Sequence, residues 1–86
     1  METFKCIGYG FQPGSAFLDA ERTTVTMTYF YTCVGSQGSV FTEFVLVDFA
    51  FGAVKAVIEL AVKDAITAQM LNVHEQTVAA NDIQLL

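Results

Sequence analysis

DFAFGAVKAVIELAVKDAITAQMLN, residues 48–72, is the only long segment of the chain with helical periodicity. Every other segment must pack against it or lead to it. Val54, Val57, Ile58, Ala61, Ala65 and Ala68 recur at three- and four-residue spacing, which places them on one helical face as the expected core stripe. Lys55, Glu59 and Lys63 then form the solvated ridge. Leu60, Val62, Ile66, Met70 and Leu71 fall outside that stripe and widen the apolar arc beyond what one sheet covers. Part of the helix is therefore expected to face something other than its own sheet.

The helix start reads in two ways. Asp48 is the preferred N-cap, because its carboxylate can accept hydrogen bonds from the first free amides. Phe49, Phe51 and Gly52 fit the end of a preceding strand equally well, and Gly52 is poor within a helix. Asn72 is the expected stop, since asparagine tolerates the left-handed conformation of a helix C-terminus.

Upstream, residues 3–11 alternate Phe4, Cys6, Gly8 and Gly10 with Lys5, Ile7, Tyr9 and Phe11, as a first strand does. Gly8 and Gly10 mark a bulge or a close approach, and an aromatic packed across the glycines is favoured over a ligand. GYGFQPG lacks the strand-to-helix context of a phosphate loop. Gln12-Pro13-Gly14-Ser15 is a turn, and residues 16–22 read either as a helical turn or as the base of a hairpin. Residues 23–34 form the strongest strand. Val25, Met27, Tyr29, Tyr31 and Cys33 suit packing under the helix, with Thr24, Thr26, Thr28, Phe30 and Thr32 on the opposite face. After the turn at residues 35–38, residues 39–47 are apolar on both faces, which predicts a central or doubly covered strand. Glu43 is expected to emerge at an edge or to pair with Arg22 or Lys5. Residues 82–86 read as a short last strand beside the first, and His74 as a solvated loop residue.

The expected fold is α+β over residues 1–86 as a single domain. It is a three-stranded antiparallel meander, one long helix packed on one sheet face, and a short C-terminal strand (β-β-β-α-β).

Composition bounds the function. Hydrophobic residues make up 53% and charged residues 15% of 86 residues, too much apolar surface for so small an interior, so a homo-oligomer or a larger protein assembly is expected. The net charge of −5 provides no basic stripe for nucleic acid. No apolar run reaches the ~20 residues of a membrane span, and METFKCIGYG is not a signal peptide, so cytoplasmic synthesis is expected. Cys6, Cys33 and His74 have no metal-ligand spacing, and no cofactor motif is present. A Cys6–Cys33 disulfide would need the first two strands in one particular register.

No nucleophile-base-orienter set can be named, so an enzyme is not expected. The expected function is a small assembly or accessory protein, of the kind found in phage virions and mobile elements. Its interface would comprise Thr24, Thr26, Thr28, Phe30 and Thr32 on the uncovered sheet face and Val62, Ile66 and Met70 on the helix flank. Two alternatives stand beside it. One is a small-molecule binding module with a pocket lined by Tyr29, Tyr31, Phe44 and Phe30; the other is an acidic inhibitor presenting Asp19, Glu21, Glu43 and Glu75 on one face.

Overall fold

The computed structural model describes residues 3–78 and residue 83. Five elements follow one another: β1 (Phe4–Phe11), β2 (Phe17–Leu18), β3 (Thr24–Gly35), β4 (Val40–Ala50) and α1 (Lys55–His74). The four strands form one antiparallel sheet with α1 beside it, an α+β architecture. β3 is central. β4 pairs with it in an unbroken register from Thr24↔Ala50 to Val34↔Val40. Its other edge is shared end to end by β1, opposite Tyr29 to Gly35, and by the two residues of β2, opposite Val25 and Thr26.

The shared edge is made by the Gln12–Ser15 turn. Ser15 N bonds back to Gln12 O, and the Ser15 hydroxyl accepts a hydrogen bond from Thr28 N, filling the ladder where the strand is interrupted. Residues 16–22 are thus the base of a hairpin. Asp19 closes it by accepting bonds from Thr23 N at 2.7 Å, Thr24 N at 3.0 Å and the Thr23 hydroxyl at 2.8 Å. The Thr24 amide first, and then the Thr23 hydroxyl, hold the Asp19 carboxyl below its usual range. A depressed folded-state pKa stabilises the protein above the unfolded carboxylate's pKa, and that contribution is lost as pH falls through the folded value. Asp19→Ala should therefore lower the Tm at neutral pH and weaken the acid dependence of the Tm, as thermal melts across the acid range would read.

Three expectations about the strands are corrected. Among the described residues β4 pairs only with β3 and is an edge strand rather than a doubly covered one: Val45 and Val47 are buried, whereas Phe44 and Leu46 are mostly exposed. Its apolar outer face belongs to the surface. In β1 the simple alternation fails because the register shifts between Cys6 and Gly8, leaving Ile7 as an extra, bulged residue. Cys6 and Tyr9 consequently both point inward, at 0% and 2% exposure. The last strand expected over residues 82–86 lies outside the described residues except for Ile83, which is buried and in no strand.

Both ends of the helix also differ from expectation. Asp48 stays within β4, accepting a 2.6 Å hydrogen bond from the Thr26 hydroxyl. The strand ends in a turn closed by Ala53 N to Ala50 O, in which Gly52 takes φ +86°, a conformation that costs glycine little. Val54 is the N-cap, without a side-chain bond. The helix runs past Asn72 to His74, where Glu75 in the left-handed region returns its amide to Leu71 O.

The largest correction concerns the buried face of α1. Val62, Ile66 and Met70, expected at an interface, are 0% exposed and form the seam against the sheet, with Ile58, Ala61 and Ala65 partly buried beside them. Val54, Val57 and Ala68, expected in the core, are exposed. Because this helix is apolar around most of its circumference, spacing alone does not select a face. The side facing the sheet is the one whose Val, Ile and Met fill the space over Tyr9, Tyr29, Tyr31 and Cys33.

Candidate functional site

The helix covers one face of the sheet, and no other described element covers the opposite face. On the open face Thr24, Thr26, Thr28, Phe30 and Thr32 of β3 are all half-buried, as the alternation predicts. Phe30 stands directly opposite Phe44 of β4 and above Gly10 of β1. A Cβ at Gly10 would lie 2.8 Å from Phe30 Cζ, so the glycine is the seat of the ring, the close aromatic approach that the glycine pair anticipates. Around this Gly10–Phe30–Phe44 stripe, Phe44 is 60%, Leu46 65%, Val40 63% and Phe17 61% exposed. Thr32 and Thr42 hydrogen-bond each other at 2.8 Å, one hydroxyl donating and the other accepting. On this face no charged side chain stands beside Phe30 and Phe44 in the ladder, and threonines of β3 and β4 flank them.

A second apolar exposure lies on the far side of the helix. Val57, Leu60 and Leu71 are each more than half exposed there, the side opposite Val62, Ile66 and Met70. Lys55, Glu59 and Lys63 instead flank the buried seam, and Lys55 pairs with Glu59 at 3.7 Å. The two apolar surfaces thus lie on opposite sides of the molecule.

A polar cluster that spacing did not reveal ties the helix end to β4. Glu43 Oε1 hydrogen-bonds His74 Nε2 and accepts from the Tyr31 hydroxyl at 3.4 Å. Gln69 Nε2 donates to the same hydroxyl at 2.8 Å and to Phe44 O at 3.1 Å. Neither Arg22 nor Lys5 is Glu43's partner, and His74 is half-buried against the ring of Phe41, with centroids 4.9 Å apart. Burial holds the Tyr31 phenol above its usual pKa, so it remains a hydrogen-bond donor to the carboxylate. With its members engaged on one another, the cluster acts as a clasp between β3, β4 and α1. Glu43→Ala should cost about 1–3 kcal/mol, because it leaves the buried Tyr31 hydroxyl without its acceptor. Denaturant unfolding with an unchanged m-value would measure it.

The binding-module residues are split by the sheet. Tyr29 and Tyr31 lie under the helix and Phe30 and Phe44 on the open face, so they cannot line one pocket. A different cleft, of about 360 Å³, opens between Tyr9, Phe11, Tyr29, Lys55, Ile58, Glu59 and Val62, with Phe11 edge-on to Tyr29 at 6.5 Å. The four acids do not make one patch. Asp19 and Glu21 sit at the end of the sheet where β3 begins, and Glu43 lies opposite Tyr31, seven residues further along β3, roughly 23 Å away.

Among the described residues, no three His, Cys, Asp or Glu side chains converge as a metal-ligand set, and no helix is long and apolar enough to cross a membrane. Comparison with known proteins places the chain in no family: no family model matches it, nor does any curated protein or solved structure.

Proposed function

We propose that the chain is a non-enzymatic assembly protein that works by burying its open sheet face against further copies of itself or a larger structure built from such chains, as in a virion. The observation that carries the reading is the contiguous stripe of Phe30 and Phe44 with Leu46, Val40 and Phe17 around it, uncovered by any described element. Exposed apolar patches on this scale mark interaction surfaces, and large aromatics in such a patch are the side chains on which association energy concentrates. The exposed Val57–Leu60–Leu71 ridge of the helix offers a second contact on the opposite side. Two unlike faces allow head-to-tail contacts, which close into rings or extend as filaments. Molar mass by light scattering behind a sizing column, at several protein concentrations, is the test. Mass above that of one chain, rising with concentration, is expected; a single-chain mass throughout removes self-assembly.

The cleft beside Tyr9 supports a second reading, a binding module for a small amphipathic ligand. Its walls are Phe11, Tyr29, Ile58 and Val62, with the Lys55–Glu59 pair at its mouth. Quenching of tyrosine emission by an aromatic probe such as anilinonaphthalene sulfonate, lost in Ile58→Glu, would support it. Equal quenching in both proteins would exclude this cleft.

A further inference from the structure

Cys6 and Cys33 lie on different strands, 27 positions apart in sequence, and the register brings them directly opposite each other. Both are free and 0% exposed. Their position in the ladder is informative. Ser36 N donates to Thr3 O, so residues 3 and 36 are a hydrogen-bonded pair, and antiparallel pairs alternate from there. Phe4–Gly35 is therefore non-bonded, Lys5–Val34 bonded and Cys6–Cys33 non-bonded. Non-bonded pairs bring the Cα atoms to ~4.5 Å, inside the ~4.4–6.8 Å range over which a disulfide closes without backbone movement. The Ile7 bulge follows immediately, so Cys6 keeps its inward direction while Tyr9 also turns in.

We propose that Cys6 and Cys33 are a site of reversible oxidation, forming a cross-strand disulfide that ties β1 to β3 when the protein meets a small-molecule disulfide such as oxidised glutathione. In the first step one cysteine thiolate attacks a sulfur of the oxidant, forming a mixed disulfide and expelling one glutathione thiolate. In the second the other cysteine loses its proton and attacks the protein sulfur of the mixed disulfide, forming the Cys6–Cys33 bond and expelling the second glutathione thiolate. Two protein thiols lose two protons and two electrons, and one oxidant disulfide becomes two thiols.

The surroundings suit this chemistry. The two thiols face each other across the ladder, so whichever sulfur loses its proton first has the other beside it to resolve the mixed disulfide. Met70 Sδ, 4.0 Å from Cys33 Sγ, is a soft, polarisable neighbour, and no charged group is created in the dry core once the bond has formed. Access comes through β1. It is an edge strand, paired only with β3 among the described residues and interrupted by a bulge one residue from Cys6, so it can open locally without unfolding the whole domain.

The test starts from reduced native protein, incubated at neutral pH with oxidised glutathione and then alkylated in denaturant. Loss of both free thiols, an intact mass of one chain less two hydrogens, and a Tm raised by roughly 10–20 °C are expected, all reversed by dithiothreitol. Cys6→Ser and Cys33→Ser, treated alike, should show no rise in Tm. Retention of both thiols, a glutathione adduct or an inter-chain dimer as the product, or an oxidised form that melts below the reduced one would each overturn the proposal. None of these readouts depends on whether the open sheet face associates.

Discussion

Ile66→Ala is expected to lower the unfolding free energy by about 2–5 kcal/mol, while Leu60→Ala on the same helix stays within about 0.5 kcal/mol of the parent. Ile66 is 0% exposed at the middle of the α1 seam, between Val62 and Met70, with the sheet residues over it close-packed. Truncation there removes apolar burial and leaves a cavity that neighbours held by two other elements can fill only in part. Leu60 is 57% exposed and loses little that folding had buried. For a domain of this size the Ile66 variant should melt roughly 8–40 °C lower, at about 4–8 °C per kcal/mol. Denaturant titrations at low protein concentration separate this effect from association. The reverse order of costs would mean that the helix presents its other side to the sheet.

Phe44→Asp should weaken self-association at least 30-fold while leaving the Tm of the single chain nearly unchanged. Phe44 is 60% exposed in the single chain and stands beside Phe30 at the centre of the open face, so a carboxylate there remains hydrated until a second copy approaches. Burying that charge, and losing a central aromatic, removes at least ~2 kcal/mol of association free energy. Light scattering over a dilution series reads the change in mass, and circular dichroism confirms that the fold is retained. An unchanged association constant would move the contact away from this face. Leu60→Asp, made on the opposite ridge, then distinguishes a helix-mediated contact from none.

The strand sequences made much of this legible. TTVTMTYFYTCV alternates strictly, and the structure keeps its two faces as read: Tyr29, Tyr31 and Cys33 buried, the threonines and Phe30 on the open side. That inference is local, because one residue's direction fixes the next in an extended chain. The same rule bars Tyr29, Phe30 and Tyr31 from a common pocket, a consequence already present in the alternation. In β1 the rule fails at one residue, Ile7, since a bulge depends on the partner strand as well as on the strand that carries it. Glu43 and His74 are 31 residues apart, and no spacing joins them. Their bond exists because α1 runs back along β4 and ends over Phe41.

By itself, then, the sequence determined the α+β class, the inward and outward faces of β3, the turn at residues 12–15 and an excess of apolar side chains over available interior, but not the four-stranded order in which β2 shares an edge of β3 with β1. Each of these follows from a residue and its near neighbours, or from composition. Only the tertiary structure decided which side of the helix is core, which strand lies at the edge, how β1 keeps both Cys6 and Tyr9 inside, and that Cys6 meets Cys33. The physical reason is common to all four. The helix is apolar nearly all round and β4 apolar on both faces, so local preference is close to degenerate, and contacts between segments distant in sequence select the arrangement.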